Sequence, residues 1–216
     1  MPLSDYSHIK YTIRLLVGWL LIFAVGCASP FGGSGRQQND ADIGDAGLLE
    51  HQACDPPCFW GITPGITSIT ETRHILEQKN INDCVPLDAD PQYPRLVCGN
   101  TVLIRLAAPT GPIAGIGLDP ARPITIGAVI SSRGQPDAVS VTLQGVEHPH
   151  ATMMVYFDSL RTRLVLAEQD GTLYRLDSSV EVRNVGFYAG DTYTLDKKYG
   201  LSAWRGYGPY PETPIH

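Results

Sequence analysis

The chain has 216 residues, with 16 basic and 22 acidic side chains and a formal net charge of −6. This balance argues against a polyanion partner, because phosphate binding needs concentrated lysine and arginine and none cluster here. We therefore expect no nucleic-acid partner, and the length suits one folded domain or two small ones.

The N-terminal stretch predicts an export signal. Lys10 and Arg14 precede an uncharged apolar run over residues 15–25, which has the length of a signal-peptide core and is too short to span a bilayer comfortably. The run ends in Ala24-Val25-Gly26-Cys27, which resembles a bacterial lipobox. We expect residues 1–26 to be removed and Cys27 to carry lipid, palmitate included, on the extracytoplasmic side of the cell membrane. A plain secretory signal or a short membrane anchor is the alternative.

Residues 27–53 are predicted to form the lipidated cysteine and a flexible tether. The segment 28–53 is poor in apolar residues and rich in glycine, glutamine, asparagine and aspartate, a composition typical of unfolded linkers. Without the two basic and one acidic residue of the signal, the mature chain would carry 14 basic and 21 acidic residues. That charge disfavours docking on acidic lipid headgroups, so the acyl chains would hold the protein at the membrane.

The remaining cysteines predict two disulfide bonds. With Cys27 assigned to lipid, an even number is left in an exported chain, where thiols are not kept reduced. Three pairings are possible, and we expect Cys54–Cys58 and Cys84–Cys98 because each encloses a segment rich in turn formers. Closing the longer loop would stabilise the fold by about 3 kcal/mol on the chain-entropy estimate.

Residues 54–216 are predicted to be the folded domain. Ser68 followed by Glu71 forms a capping box and predicts a helix over 68–79, with Thr67 as an alternative N-cap. A second helix is predicted after Thr125 and ends at Gly134. Alternating apolar residues predict strands, and Asp170-Gly171 predicts a hairpin turn; the expected strands cover 96–107, 113–118, 138–143, 152–158, 163–168, 172–176 and 179–188.

The two halves of this region have the same order of elements. Each has a threonine near the start of a short helix, followed by antiparallel strands, so residues 54–120 and 121–190 are interpreted as degenerate repeats. We therefore predict an α+β fold, in which an antiparallel sheet carries short helices on one face.

One run resembles a group of uncharacterised bacterial lipoproteins. Their signature C-x3-C-W-x-G-I-x-P-G-x-T is similar to Cys54-x3-Cys58-Phe59-Trp60-Gly61-Ile62-x-Pro64-Gly65-x-Thr67, although Phe59-Trp60 stands where the pattern has tryptophan and a variable residue. A second run also matches their pattern, namely Thr125-Ile126-Gly127-x2-Ile130-x3-Gly134-x-Pro136-Asp137. More distantly, the chain resembles small envelope-assembly lipoproteins and the β-lactamase-inhibitor protein. The resemblance implies a binding protein and supplies no catalytic residue.

The residues themselves offer one weak candidate for chemistry. Glu147, His148 and His150 put a carboxylate and two imidazoles close together, but neither an HExxH motif nor a cysteine–histidine quartet is present. An exposed polar loop is the favoured interpretation, and we expect no cofactor. The predicted function is a lipid-anchored, extracytoplasmic binding or envelope-associated module. An envelope protein is a candidate partner, and the sequence does not indicate which ligand, small molecule or other, the module binds. The alternative is a secreted hydrolase or a metal-dependent activity that uses this loop.

The C-terminal run over 200–211 is rich in aromatic residues. Trp204, Tyr207 and Tyr210 carry too much apolar surface for a solvated tail, so we predict that the run lies against the sheet. They either cover one sheet edge or complete the core, or part of their surface stays exposed beside Phe59 and Trp60 as a partner-binding surface.

Overall fold

The structure, a computed structural model, describes residues 43–49, 54–87, 94–99, 101–197 and 200–213. Within these ranges it contains three short helices and 12 strands, most of which form one antiparallel sheet. The predicted α+β class is therefore confirmed.

The first half is one helix followed by a four-stranded meander. Helix α1 begins after Ser68, whose Oγ accepts a hydrogen bond from the Glu71 backbone N–H at 3.2 Å. The other predicted N-cap, Thr67, instead accepts a hydrogen bond from the Thr63 N–H. The elements are α1 (Ile69–Gln78), β1 (Cys84–Pro86), β2 (Arg95–Cys98), β3 (Val102–Leu106) and β4 (Ile113–Leu118).

The second half repeats this order with an insertion before its last strand. Thr125 caps the helix and Gly134 ends it at a φ of 87°, as the sequence predicts. The elements are α2 (Ile126–Arg133), β5 (Ala138–Gln144), β6 (His150–Phe157), β7 (Thr162–Leu166), the inserted β8 (Gln169–Asp170) and β9 (Leu173–Leu176), and β10 (Val182–Tyr188). Beyond them lie α3 (Gly190–Asp196), β11 (Ser202–Ala203) and β12 (Gly208–Pro211).

The two halves meet at the centre of the sheet, whose strand order is β1-β2-β3-β4-β10-β7-β6-β5-β11. The last strands of the halves, β4 and β10, pair antiparallel. Each helix N-cap also bridges to the residue before the last strand of its own half, Ser68 to Pro112 and Thr125 to Glu181. The topology thus repeats about a pseudo-twofold axis, in agreement with the repeat interpretation.

The sheet has two different faces. On the first face, apolar strand residues such as Ile104, Phe187 and Val155 form one core with Leu76 of α1 and Val129 of α2. On the second face, Tyr193 of α3 packs against strand residues in a separate small cluster. Helices α1 and α2 share one face as predicted, whereas α3, which no sequence pattern predicted, lies on the other.

Two predicted strand features are wrong. Residues 96–107 form two strands instead of one, because Gly99 turns the chain at a φ of 59°. The turn at Asp170-Gly171 is present, but β8 pairs with β6, and β9 pairs with β12. The side-chain amide of Gln169 replaces a strand backbone here, since it accepts from the Arg175 N–H and donates to the Arg175 carbonyl, both at 2.8 Å.

The predicted tether boundary at residue 53 is also wrong. Ile43, Ala46 and Leu48 are buried in the main core. The Gly44 carbonyl accepts a hydrogen bond from the Ala121 N–H, and Arg133 Nε donates to the Leu48 carbonyl at 2.7 Å. A few apolar side chains are thus enough to hold residues 43–49 against the core, although the surrounding stretch is mostly polar. Residues 28–42 and 50–53, like Cys27 and the expected signal, lie outside the described residues.

Both predicted disulfide bonds form. Cys54 pairs with Cys58, and Cys84 pairs with Cys98, with Cα–Cα distances of 5.6 and 4.0 Å. Cys84 lies directly opposite Cys98 in the β1–β2 register, so the second bond joins the outermost strand of the sheet to its neighbour.

The C-terminal run lies against the sheet, as predicted. Ser202 and Ala203 pair with the β5 edge, and the chain returns to that edge where Thr213 bonds to Val141. Between these contacts, Tyr210 lies opposite the buried Tyr174 and is itself only 2% exposed. The tail therefore covers an open strand edge and adds to the core, the first of the two roles considered for it.

We expect Tyr210→Ala to lower the free energy of unfolding by about 3–5 kcal/mol, the range for large aromatic truncations in a core. Tyr207→Ala is the matched control, because Tyr207 is 49% exposed and a surface truncation costs about 1 kcal/mol or less. Chemical denaturation measures both values. Equal losses for the two variants would contradict the buried role of Tyr210.

Candidate functional site

The residues of the predicted metal loop do not converge. Glu147 and His148 are exposed. His150 lies on β6, where its Nε2 is 3.8 Å from a carboxylate oxygen of Glu168. Among the described residues, no group of three or more histidine, cysteine, aspartate or glutamate side chains is arranged to hold a metal ion.

The predicted aromatic surface needs correction. Phe59 and Tyr210 are 0% and 2% exposed, so they belong to the core and do not present a surface to a partner. Trp60 and Trp204 are half-buried, and only Tyr207 is well exposed. The ring contacts fall into two groups, with Phe59 on Trp60 in one and Trp204 with Tyr207 and Tyr210 in the other.

A cluster of arginine, tyrosine and aspartate side chains on the second face of the sheet was not predicted. One row of directly paired residues crosses the sheet on this face: Val85, Val97, Leu103, Gly117, Gly186, Arg163, Tyr156 and Ala138. The adjacent row contains Arg105, Gly115 and Tyr188. The pseudo-twofold axis passes between Gly117 and Gly186, so Leu103 in the first half corresponds to Arg163 in the second.

Asp196, at the end of α3, ties that helix to the cluster. Arg163 Nη1 donates to both Asp196 carboxylate oxygens at 2.9 Å, and Arg105 Nη1 donates to one of them at 3.4 Å. The Arg163 and Asp196 side chains are 14% and 9% exposed, whereas that of Arg105 is 33% exposed. Both guanidiniums lie 5.5 Å from the centre of the Tyr188 ring.

Tyr193 and Lys197 add a second tie between α3 and the sheet. The Tyr193 ring contacts those of Tyr156 and Tyr188 at centroid distances of 6.3 and 6.2 Å. The Tyr193 hydroxyl donates to Asp158 at 2.9 Å, and Lys197 pairs with the same carboxylate. Helix α3 therefore covers the second face over the second half of the sheet.

Glycines at the centre of the sheet make room for Tyr188. A Cβ on Gly186 would lie 2.6 Å from the Tyr188 hydroxyl oxygen, and one on Gly115 would lie 3.0 Å from its ring. Gly117, directly opposite Gly186, has its nearest neighbour at an ordinary 3.5 Å. The tyrosine ring thus lies flat over two glycines, which is a common reason for glycine inside a strand.

Burial fixes the protonation state of the cluster. It raises the pKa of Tyr156, Tyr188 and Tyr193 above the ordinary value for tyrosine, so these phenols are protonated at neutral pH. Burial also lowers the pKa of Arg163, but its interactions with Tyr188 and Asp196 outweigh that effect, and the net pKa is raised. Arg163 therefore keeps its charge, and it shares the Asp196 carboxylate with Arg105.

This arrangement suits anion binding better than proton transfer. The phenols hold their protons and the guanidiniums hold their charge, so the cluster acts through fixed positive charge and hydrogen-bond donors. Asp196 balances only one of the two arginines. The excess positive charge lies on the Arg105 side, where the cluster meets solvent.

The sequence carries a partial signal for this cluster. Arg105 and Arg163 interrupt apolar strands at positions that alternate with core residues, which places them on the other face of the sheet. Glycines inside β4 and β10 also indicate a close approach of another group. Asp196 carries no such signal. It comes after β7 and β10 in the chain, and only helix α3, which was not predicted, places it beside Arg163.

Comparison of the chain with protein-family models, curated proteins and solved structures found no match. In the described part of the chain, no helix has the length and apolar character needed to cross a membrane.

We expect Gly186→Ala to destabilise the protein by about 1–3 kcal/mol, because its Cβ would overlap a tyrosine that is only 2% exposed and cannot move freely. Gly117→Ala is the matched control in the facing strand, where the same methyl group meets no such overlap. Urea denaturation compares the two variants. A Gly117→Ala loss as large as that of Gly186→Ala would show that the Tyr188 contact is not the cause.

Proposed function

We propose that the protein is a lipid-anchored, extracytoplasmic binding module. The observation that carries the anchor is the cysteine pairing. The described disulfides use four of the five cysteines, so Cys27 is left without a cysteine partner in its own chain. It is also the cysteine that ends the lipobox-like run, where an acyl acceptor is required.

The disulfides also support the compartment. Structural disulfides persist outside the cytosol, where no reducing system acts on them. An exported domain with an acylated N-terminus would face the envelope or the medium. The negative charge of the mature chain leaves the acyl chains, not lipid headgroups, as the attachment.

The second face of the sheet supports the binding role. Over the first half, it presents an apolar strip formed by Val85, Leu87, Val97 and Leu103. Val85 and Leu87 are 55% and 48% exposed, and the other two are half-buried. Apolar side chains grouped on one face beside charged groups are typical of interaction surfaces.

Changing Cys27→Ala should abolish incorporation of labelled palmitate and move the protein out of the membrane fraction. The double variant Cys54→Ala/Cys58→Ala is the matched control, and it should keep both the label and the membrane location. Metabolic labelling and cell fractionation measure these results. A labelled Cys27→Ala protein would contradict the anchor.

A photo-crosslinking amino acid at Leu103 should give an adduct with an envelope component on intact cells, because Leu103 belongs to the apolar strip. The same amino acid at Ser132, exposed on α2 on the other side of the sheet, should not. Mass spectrometry identifies the adduct. Identical adducts at both positions would contradict binding through the second face.

A further inference from the structure

The two halves of the second face differ in what covers them. In the second half, α3 of the same chain places the Tyr193 ring on Tyr156 and the Asp196 carboxylate on Arg163. In the first half, the equivalent row consists of Leu103, Val97 and Val85, and Val85 is 55% exposed. The covered half therefore shows what kind of segment this face accepts: one with an apolar side chain beside a carboxylate.

Arg105 lies at the border between the covered and open halves. Its side chain is 33% exposed, and its contact with Asp196 is a single one of 3.4 Å, longer than either bond from Arg163. A guanidinium has five N–H donors, so most of those on Arg105 remain for another acceptor. Because Asp196 balances only one charge, the other has no carboxylate within the cluster.

The surroundings of Arg105 define the rest of the site. Leu103 lies two residues earlier on the same face of β3, with Val97 directly opposite it on β2. On the other side, Gly115 and Gly117 of β4 pair with Arg105 and Leu103 and add no side chain. The apolar strip thus has Arg105 at its border, with Arg95 directly opposite Arg105 on β2.

We propose that Arg105 binds the carboxylate of an acidic residue in an extended partner segment, whose apolar neighbours lie on Leu103 and Val97. This inference rests on the proposed binding function and names the chemistry of its ligand. A free carboxylate would use the same arginine but would make no use of the apolar strip, so the two sources can be separated.

The test uses full-length protein purified in a nonionic detergent and the amidated peptide Val-Gly-Glu-Gly-Leu, with a fluorescent label that has no carboxylate. In an extended chain, the valine and leucine of this peptide lie on the same side as the glutamate. Anisotropy should show saturable binding. The peptide with glutamine in place of glutamate should bind about fivefold to tenfold more weakly, since a charge-assisted bond is lost. This pair of peptides tests the carboxylate on unaltered protein, so no outcome depends on the folding of a variant.

Protein variants then locate the site. Arg105→Gln should weaken the glutamate peptide about fivefold to tenfold and leave the glutamine peptide unchanged. Arg175→Gln, an exposed arginine on β9, is the matched control and should leave both unchanged. Leu103→Ser should weaken binding of the glutamate peptide. Acetate, added as a competitor, should displace the peptide from this variant as effectively as from the unaltered protein. Equal binding of the two peptides, or equal binding by Arg105→Gln and unaltered protein, would overturn the proposal.

The contribution of the apolar side chains distinguishes a partner segment from a free carboxylate such as acetate. If a peptide with serine in place of valine and leucine binds as well as the apolar one, the site accepts any carboxylate and the partner segment is overturned. The measurement uses no membrane, so it can fail while Cys27 is acylated, or succeed while it is not. Its failure is therefore separate from failure of the proposed anchor.

Discussion

The pairing of β4 with β10 is the constraint on which the rest of the structure depends. It joins two four-stranded meanders that are distant in sequence into one sheet, with Ile116 opposite Phe187 on the core side. The other strands of the main sheet reach this pair through their neighbours. Since no short turn connects the two strands, the register is set by side-chain packing on both faces. The first face supplies apolar residues to the main core, and the second brings Gly117 opposite Gly186.

The central glycines connect this pairing to the candidate site. Because Gly115 and Gly186 have no side chain, the Tyr188 ring lies flat on the sheet and the two arginines approach it from either side. Asp196 is then held by Arg163 in a poorly hydrated position. A buried ion pair of this kind adds little net stability, but removal of one partner is costly, so its main effect is to fix where α3 lies.

The features predicted from the sequence are those with local causes. Helices α1 and α2 have side-chain caps and apolar spacing, and both disulfides enclose turn-rich segments. Helix α3 was missed because Ala189 at its N-cap makes no side-chain hydrogen bond and the helix is only seven residues long. Its position depends on contacts far along the chain, since the Arg105–Asp196 bond spans 91 residues.

The same reasoning explains why the candidate site was only partly predictable. Alternation places Arg105 on the face away from the core, but it does not say that Arg163, from the other half, lies beside the same tyrosine. That neighbour relation follows from the β4–β10 register, which no local pattern specifies.

The difference between the two halves is where a function specific to this chain would arise. The topology gives both halves the same strands in the same order, so equivalent positions would have equivalent surroundings if the sequences were alike. At the central row they are not, because Leu103 in one half replaces Arg163 in the other. In the second half the charge is satisfied internally by α3, which closes that part of the face. In the first half, none of the described helices lies over the apolar residues, and the partly unneutralised Arg105 lies at their border. One half of a duplicated framework is thus covered by its own chain, and the proposed binding surface lies on the other half.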